Sequence, residues 1–297
     1  MQNDIKSHRI LNPRLDPIFK ILFTQETKES NNALTSLLSA CLGRKVSDIV
    51  LLPNEITTLE ADQKQCRFDL TCKVDGKEPV NIEMQGQNYY GTYDNRCEYY
   101  VAHLMEHFVE KGSDSRWIEV PTVYQINLIN FIYDESNPNG ISHYSMRRSD
   151  GKALKSQKLN LYFVELPKYR GKDDRIEEIP NLTAIEKWSK FFVYADNEKM
   201  QDYVEALCKT EEGIMDAKVT LGTISQDDVI WKQQTDYFML QTDKNTMIYE
   251  AEQRGEAKGK LQNALDTAKN LLSLGVDKGI IVKATGLTDE QVSQLDK

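Results

Sequence analysis

Residues 67–85 read Arg67-Phe68-Asp69-Leu70-Thr71-Cys72-Lys73-Val74-Asp75-Gly76-Lys77-Glu78-Pro79-Val80-Asn81-Ile82-Glu83-Met84-Gln85. Up to Val74 the alternation is strict. Phe68, Leu70, Cys72 and Val74 form an apolar face, and Arg67, Asp69, Thr71 and Lys73 a polar one. After the turn signal Asp75-Gly76, Val80, Ile82 and Met84 repeat the apolar face and Asn81, Glu83 and Gln85 the polar one. Parity then sets the register. A two-residue loop at Asp75-Gly76 would set Asp69 against Ile82 and mismatch the apolar faces. An odd loop centred on Gly76 pairs Cys72 with Val80, Leu70 with Ile82 and Phe68 with Met84. A slip of one residue would turn a whole apolar face to solvent, so the odd loop wins. The same register sets Asp69 opposite Glu83, and Arg67 opposite Gln85.

Two carboxylates directly opposite on a sheet repel, at a cost on the order of 0.2–1 kcal/mol. A hydrated Mg²⁺ or Mn²⁺ reverses that sign, because hard cations take carboxylate oxygens while keeping several waters. Such an ion can polarise a phosphate oxygen and lower the pKa of a bound water. Spacing alone leaves a second reading open, a solvated polar face on which Arg67 or Lys73 neutralises the acids.

Working outward, Asp16-Pro17 is a helix start, an N-cap acid followed by proline, leading into Ile18, Phe19, Ile21 and Leu22. A second helix is expected from about Asn31 to Leu42, closed by Gly43. Strands are expected over Val50–Leu59, Cys66–Val74 and Val80–Gln85, then a helix over Asp94–Lys111. Val123–Tyr133 and Leu159–Glu165 are strongly strand-like, with a weaker strand near Ser142–Arg147. The first 180 residues thus make an α/β domain with a mixed central sheet flanked by helices. From 181 to 297 an all-helical region is expected. Trp188, Phe191 and Phe192 form one apolar cluster in it, and a long helix covers Met247–Leu274. Gly286 and Thr288, a C-cap followed by an N-cap, give the end of the chain a helix–turn–helix shape.

With 297 residues, 40% hydrophobic and 28% charged, the chain has the bulk composition of a globular protein. No apolar run approaches the roughly 20 residues of a membrane span, and the N-terminus lacks a signal-peptide core. The five scattered cysteines contain no C-x-x-C pair, which argues against a disulfide scaffold and fits a reducing cytoplasm. A net charge of −9 counts against broad nucleic-acid binding through a basic surface. It leaves room for a carboxylate site that meets phosphate through cations.

Aspartate, a hairpin, then Glu-x-Lys is the core of the PD-(D/E)XK nuclease fold. This chain resembles the Rpn branch, the recombination-promoting nucleases and transposases, in which Glu-x-Gln replaces Glu-x-Lys. The resemblance rests on Asp16-Pro17-Ile18-Phe19-Lys20-Ile21-Leu22-Phe23, on Asn81-Ile82-Glu83-Met84-Gln85, and on Arg96 with Tyr99-Tyr100. Leu161 to Leu166, Ala257-Lys258-Gly259 and Ala284-Thr285-Gly286-Leu287 add to it. It implies a PD-(D/E)XK restriction-endonuclease-like fold and Mg²⁺- or Mn²⁺-dependent DNA endonuclease activity, in recombination, mobile elements or phage defence. By that resemblance Asp69 and Glu83 hold the metal and Gln85 takes the lysine's place. Glutamine can orient water or phosphate by hydrogen bonds but brings no charge. Arg67, Arg96 and Lys64 are the expected sources of the missing charge and of phosphate contacts. Asp16 either completes the metal site or simply caps its helix.

Two other readings compete. A degenerate nuclease fold would bind DNA or a partner without cutting. His103-Leu104-Met105-Glu106-His107 matches H-x-x-E-H, a zinc-protease pattern whose third ligand would come from Glu177, Glu178 or Glu186; its bland counterpart is an amphipathic helix burying Val101, Leu104, Met105 and Phe108. The terminal helix–turn–helix shape carries few lysines between Asp277 and Lys297, which favours a helical cap or self-association over DNA reading. Cutting both strands of a duplex suits a two-fold pair of sites, so a homodimer through the C-terminal helices is expected.

Overall fold

The hairpin forms in the register that parity demands. In a computed structural model, β4 (Leu70–Val74) and β5 (Glu78–Gln85) pair antiparallel, with Leu70 opposite Ile82 and Cys72 opposite Val80. Asp75, Gly76 and Lys77 make the odd loop. Asp75 and Gly76 are both left-handed, at φ 50° and 75°, a conformation that glycine adopts freely and aspartate tolerates. The Asp75 carboxylate is tied down by the Ser47 N–H at 3.0 Å and by Arg44 at 2.7 Å. The structure describes residues 9–53, 55–56, 66–67, 69–86, 91–109, 116–171 and 174–295, with 55–56 and 66–67 described through their backbone alone.

Around the hairpin the strands β1 (Ile49–Leu52), β6 (Val123–Ile129), β7 (Ile141–Ser145) and β8 (Leu159–Glu165) complete a six-stranded sheet in the order β1-β4-β5-β6-β8-β7. Pairing is parallel across β5-β6-β8 and antiparallel elsewhere. The expected strand Cys66–Val74 is broken. Its first residues, β3 (Cys66–Arg67), pair with β2 (Glu55–Ile56) in a separate two-stranded sheet, so Arg67 stands opposite Glu55 and not opposite Gln85. The break has a local cause. The Met84 N–H donates to the Asp69 carboxylate at 2.8 Å, and a side chain thereby takes the donor at the point where the ladder ends. Phe68 and Lys64, and the expected strand residues 57–59, lie outside the described residues.

One face of the sheet carries Leu70, Cys72, Val74, Val80, Ile82, Met84, Ile126, Leu128 and Val164, all buried. They pack beneath α1 (Asp16–Phe23) and α2 (Lys28–Leu42), together with α4 (Ala184–Tyr194), α5 (Gln201–Cys208) and α6 (Glu212–Ile224). The helices that follow residue 180 therefore begin inside this core, and the first compact unit extends to Gln234. Trp188 is fully buried against Phe23, Phe191 and Phe192. Its indole N–H donates to Ser36 Oγ at 3.0 Å. The other face is covered by α3 (Tyr93–Phe108), through Tyr93, Cys97, Val101 and Leu104.

The second compact unit spans residues 235–297. The helix α7 (Asp228–Ser273) runs for 46 residues, through Gly255 and Gly259, whose cost of about 1 kcal/mol each is too small to break so long a helix. It ends before Gly275, left-handed at φ 76°. Then come α8 (Lys278–Thr285), stopped by Gly286 at φ 71°, and α9 (Asp289–Leu295). Thr288 and Gln291 exchange a reciprocal capping pair at the start of α9, so both expected caps form. Ala268, Ile281, Leu287 and Val292 are this unit's buried core. The four cysteines whose side chains are described, Cys41, Cys72, Cys97 and Cys208, are free and buried. Among the described residues no helix is long and apolar enough to cross a membrane.

Trp188→Ala removes both the ring at the centre of the first core and a hydrogen bond. It should destabilise the protein by about 3–5 kcal/mol in denaturant unfolding; a loss below about 1 kcal/mol would show that the helices after residue 180 are not integral to that core.

Candidate active site

The helix α1 begins one residue earlier than expected. Leu15, in extended backbone, is the N-cap and makes no side-chain cap; Asp16 is the first helical residue and Pro17 the second. The Asp16 carboxylate is thus free of capping and turns to Lys20, one helical turn on, with Oδ1 at 3.1 Å from Nζ. The same ammonium stands 3.3 Å from Asp69 Oδ1. Four buried α1 residues, Ile18, Phe19, Leu22 and Phe23, lock the helix against the core and so fix where its polar edge delivers Asp16 and Lys20.

Asp69 and Glu83 meet at the end of the hairpin. They are 7% and 5% exposed. The Asp69 N–H donates to Glu83 Oε1 at 3.2 Å, and the Met84 N–H to Asp69 Oδ2 at 2.8 Å. Burial pushes the Asp69 carboxyl well above the ordinary range. The charges of Glu83 and Asp16 push it further, and the Lys20 ammonium opposes them. Burial also raises Glu83, to about 7, against the hydrogen bond from Asn81 and the attraction of Arg96. Lys20 loses charge stability to burial, but Asp69 and Asp16 outweigh that and hold its ammonium above the ordinary value.

The polar face of the hairpin is not solvated. Thr71, Asn81, Gln125 and Asn127 are buried along with Glu83, because α3 lies over them. A row of amides results. Asn81 Nδ2 donates to Glu83 Oε1 at 3.0 Å and to Gln125 Oε1 at 2.8 Å, and Gln125 Nε2 donates to Asn127 Oδ1 at 3.0 Å. Asn127 Nδ2 donates in turn to the Tyr162 carbonyl, while the Tyr93 hydroxyl donates to Asn127 Oδ1. Each amide uses its neighbour, so Glu83 is braced by a chain that crosses three strands. Lys73, expected as a neutraliser of the acids, instead lies over the Phe108 ring at 5.5 Å.

Gln85, two residues after Glu83, accepts a 2.6 Å hydrogen bond from Arg96 on α3. The Arg96 guanidinium also lies over Tyr93 and Tyr100. Asp16, Asp69, Glu83, Gln85 and Arg96 are thus brought together. The Arg67 side chain and Lys64 lie outside what the structure describes.

The donor set suits a hard divalent cation. Oxygen is the only ligand atom that Asp16, Asp69 and Glu83 offer, and the buried carboxylates Asp69 and Glu83 repel each other, with the Lys20 ammonium against Asp69. No three His, Cys, Asp or Glu side chains among the described residues are arranged to enclose an ion. The fit is to an ion held by two carboxylates, with water and substrate completing its shell, as Mg²⁺ is commonly bound.

Comparison with known families agrees with this geometry. The family described as PD-(D/E)XK nuclease family transposase matches residues 13–251. The chain belongs to this nuclease family. The Rpn/YhgA-like nuclease family, C-terminal HTH domain, matches residues 261–297, where the second unit folds around Ile281, Leu287 and Val292. The sparse lysines that pointed to a cap or to self-association therefore sit in a segment matched as a helix–turn–helix domain. No curated protein and no solved structure matches the chain.

In this nuclease the HLMEH segment of α3 has other employment. His103 stacks on Tyr99 and pairs with Glu106, and His107 packs edge-on against Phe108. Of the third ligands considered, Glu186 closes the capping box of α4 and Glu178 pairs with Arg175. The charged side chain at this site to which sequence reading gave no role is Lys20. It stands four residues after Asp16, a spacing that was available as a signal.

The raised Glu83 carboxyl gives a signed pH dependence. Its folded pKa, about 7, lies above the unfolded value, so the metal-free folded state takes up a proton between them. Stability from this group is present at low pH and lost as pH rises through about 7. The stability of metal-free wild type relative to Glu83→Gln should fall by on the order of 1–3 kcal/mol between about pH 5 and about pH 8. A flat or rising difference in paired denaturation curves would contradict the burial that raises the Glu83 carboxyl.

Proposed function

We propose that the chain is a Mg²⁺- or Mn²⁺-dependent endodeoxyribonuclease that hydrolyses phosphodiester bonds of DNA, in recombination, mobile-element movement or phage defence. The observation that carries this reading is the pair of buried carboxylates, Asp69 and Glu83, facing each other at the end of the hairpin. In this reading they hold the metal, which when bound supplies a Lewis acid for the phosphate and lowers the pKa of the attacking water. Asp16, paired with Lys20 on α1, lines the edge of the site.

The other roles belong to the chain's own side chains. Gln85 is held by Arg96, and a glutamine amide at this position can orient water or a phosphate oxygen by hydrogen bonds. Arg96 itself stands at the exposed rim and meets a DNA phosphate, with Lys64 and Arg67 proposed for the same task. In hydrolysis the water oxygen bonds to phosphorus and one ester P–O bond breaks. The water's proton ends on the leaving oxygen, giving a phosphate monoester and a free hydroxyl. The helix–turn–helix unit at the C-terminus is proposed to hold DNA near the site, and the C-terminal helices to pair two chains for double-strand cutting.

Purified protein should cut supercoiled plasmid with Mg²⁺ or Mn²⁺ and stop with chelator. Asp69→Ala and Glu83→Ala should each lose on the order of 100-fold or more of the rate. Cutting that is equal in wild type and both variants would trace the activity to something other than this site.

A further inference from the structure

In the Glu-x-Gln arrangement the position two residues after Glu83 carries no charge, and Gln85 is already engaged by Arg96. A positive charge nonetheless stands among the carboxylates. Lys20 Nζ lies 3.3 Å from Asp69 Oδ1 and 3.1 Å from Asp16 Oδ1. Its side chain is 32% exposed, whereas that of Asp69 is 10% exposed, so the ammonium stands between the buried acid and solvent. We propose that Lys20 supplies, from the first helix, the site cation that the Glu83-x-Gln85 motif lacks, the group that meets a bound phosphate or its attacking water. This assignment rests on the nuclease reading above for the identity of the substrate.

Three features single out Lys20. The i,i+4 spacing places Asp16 and Lys20 on one edge of α1, and the buried face of that helix fixes the edge against the hairpin. Lysine carries a compact charge on a flexible stem with three donors. It can therefore leave Asp69 for a phosphate oxygen by a change of rotamer, without any backbone movement. Arg96, the other nearby cation among the described side chains, is engaged by Gln85 and by two aromatic rings, which holds it at the rim. Lys20 also explains how Asp16 and Asp69 stay close without a metal. In the free protein its ammonium neutralises part of their charge, so an incoming divalent cation must displace it.

The test uses full-length wild type, Lys20→Gln, Lys20→Arg and the double variant Lys20→Gln/Gln85→Lys. Two quantities are measured: plasmid cleavage with Mn²⁺, and Mn²⁺ affinity by calorimetry without DNA. Lys20→Gln should cut about 100-fold more slowly yet bind Mn²⁺ several-fold more tightly, because no ammonium competes for the carboxylates. Lys20→Arg, which keeps the charge, should retain more cleavage than Lys20→Gln. Restoring a lysine at position 85 should recover at least about tenfold of the lost rate. Cleavage by Lys20→Gln within a few-fold of wild type overturns the assignment. So does Mn²⁺ affinity that is unchanged or weakened, or a double variant no faster than Lys20→Gln. Should Lys20→Gln fail to fold, Lys20→Met, which keeps the stem and removes the charge, carries the same comparison with wild type and Lys20→Arg. Wild type that cuts no DNA overturns the nuclease reading alone; the Mn²⁺ affinities then decide whether Lys20 is the cation of the carboxylate site.

Discussion

Two carboxylates held side by side in a place with almost no water dominate the local energetics of this protein. Asp69 and Glu83 repel, and burial magnifies the repulsion, so the surrounding structure is organised to contain it. The Asp69 and Met84 N–H groups, the Asn81 amide and the Lys20 ammonium all donate to these two side chains. Several other features follow from the need to hold these donors in place. The odd loop with its left-handed Asp75 and Gly76 fixes the register. The parallel run β5-β6-β8 stacks Gln125 and Asn127 behind Asn81. The aromatic core around Trp188 presses α1, and with it Lys20, against the hairpin end.

Much of this was legible in the sequence, because it is encoded by patterns of period two. The alternation of apolar residues on two adjacent strands left one register that keeps both apolar faces inward, and that register alone set Asp69 against Glu83. The caps at Gly43, Gly286 and Thr288 were equally local and equally readable. The destination of the polar face was not. Alternation tells which residues share a face but not what covers it, and a face of Thr, Asn, Glu and Gln reads the same under water or under a helix. Only the crossover from β5 through α3 to β6 decides that it is buried, which a local pattern does not contain. The start of β4 at Leu70 escaped for a similar reason. A carboxylate that takes a backbone donor ends a ladder without any signal in the residue types. Lys20 was hidden because its partner Asp69 is distant in sequence and meets it through tertiary packing alone.

The two compact units are built in two physical styles. The first unit is built around a mixed sheet with one apolar face and one buried polar face, on which Asn81, Gln125 and Asn127 hydrogen-bond to one another in a row. The second has a small core, Ala268, Ile281, Leu287 and Val292, and depends on well-formed caps: Asp277 on the Gly279 N–H, Gly286 in the left-handed region, and the Thr288–Gln291 pair. Capping contributes on the order of 1 kcal/mol at each end, a large share in a unit with so little apolar burial.

The most direct measurement is the anomalous scattering of Mn²⁺ in a crystal of the protein. A manganese peak within coordination distance of carboxylate oxygens from both Asp69 and Glu83, with Lys20 moved off Asp69, is the expected result. A peak at His103 and His107, or no peak at the hairpin at concentrations that support DNA cleavage, would contradict the placement of the metal on these two carboxylates.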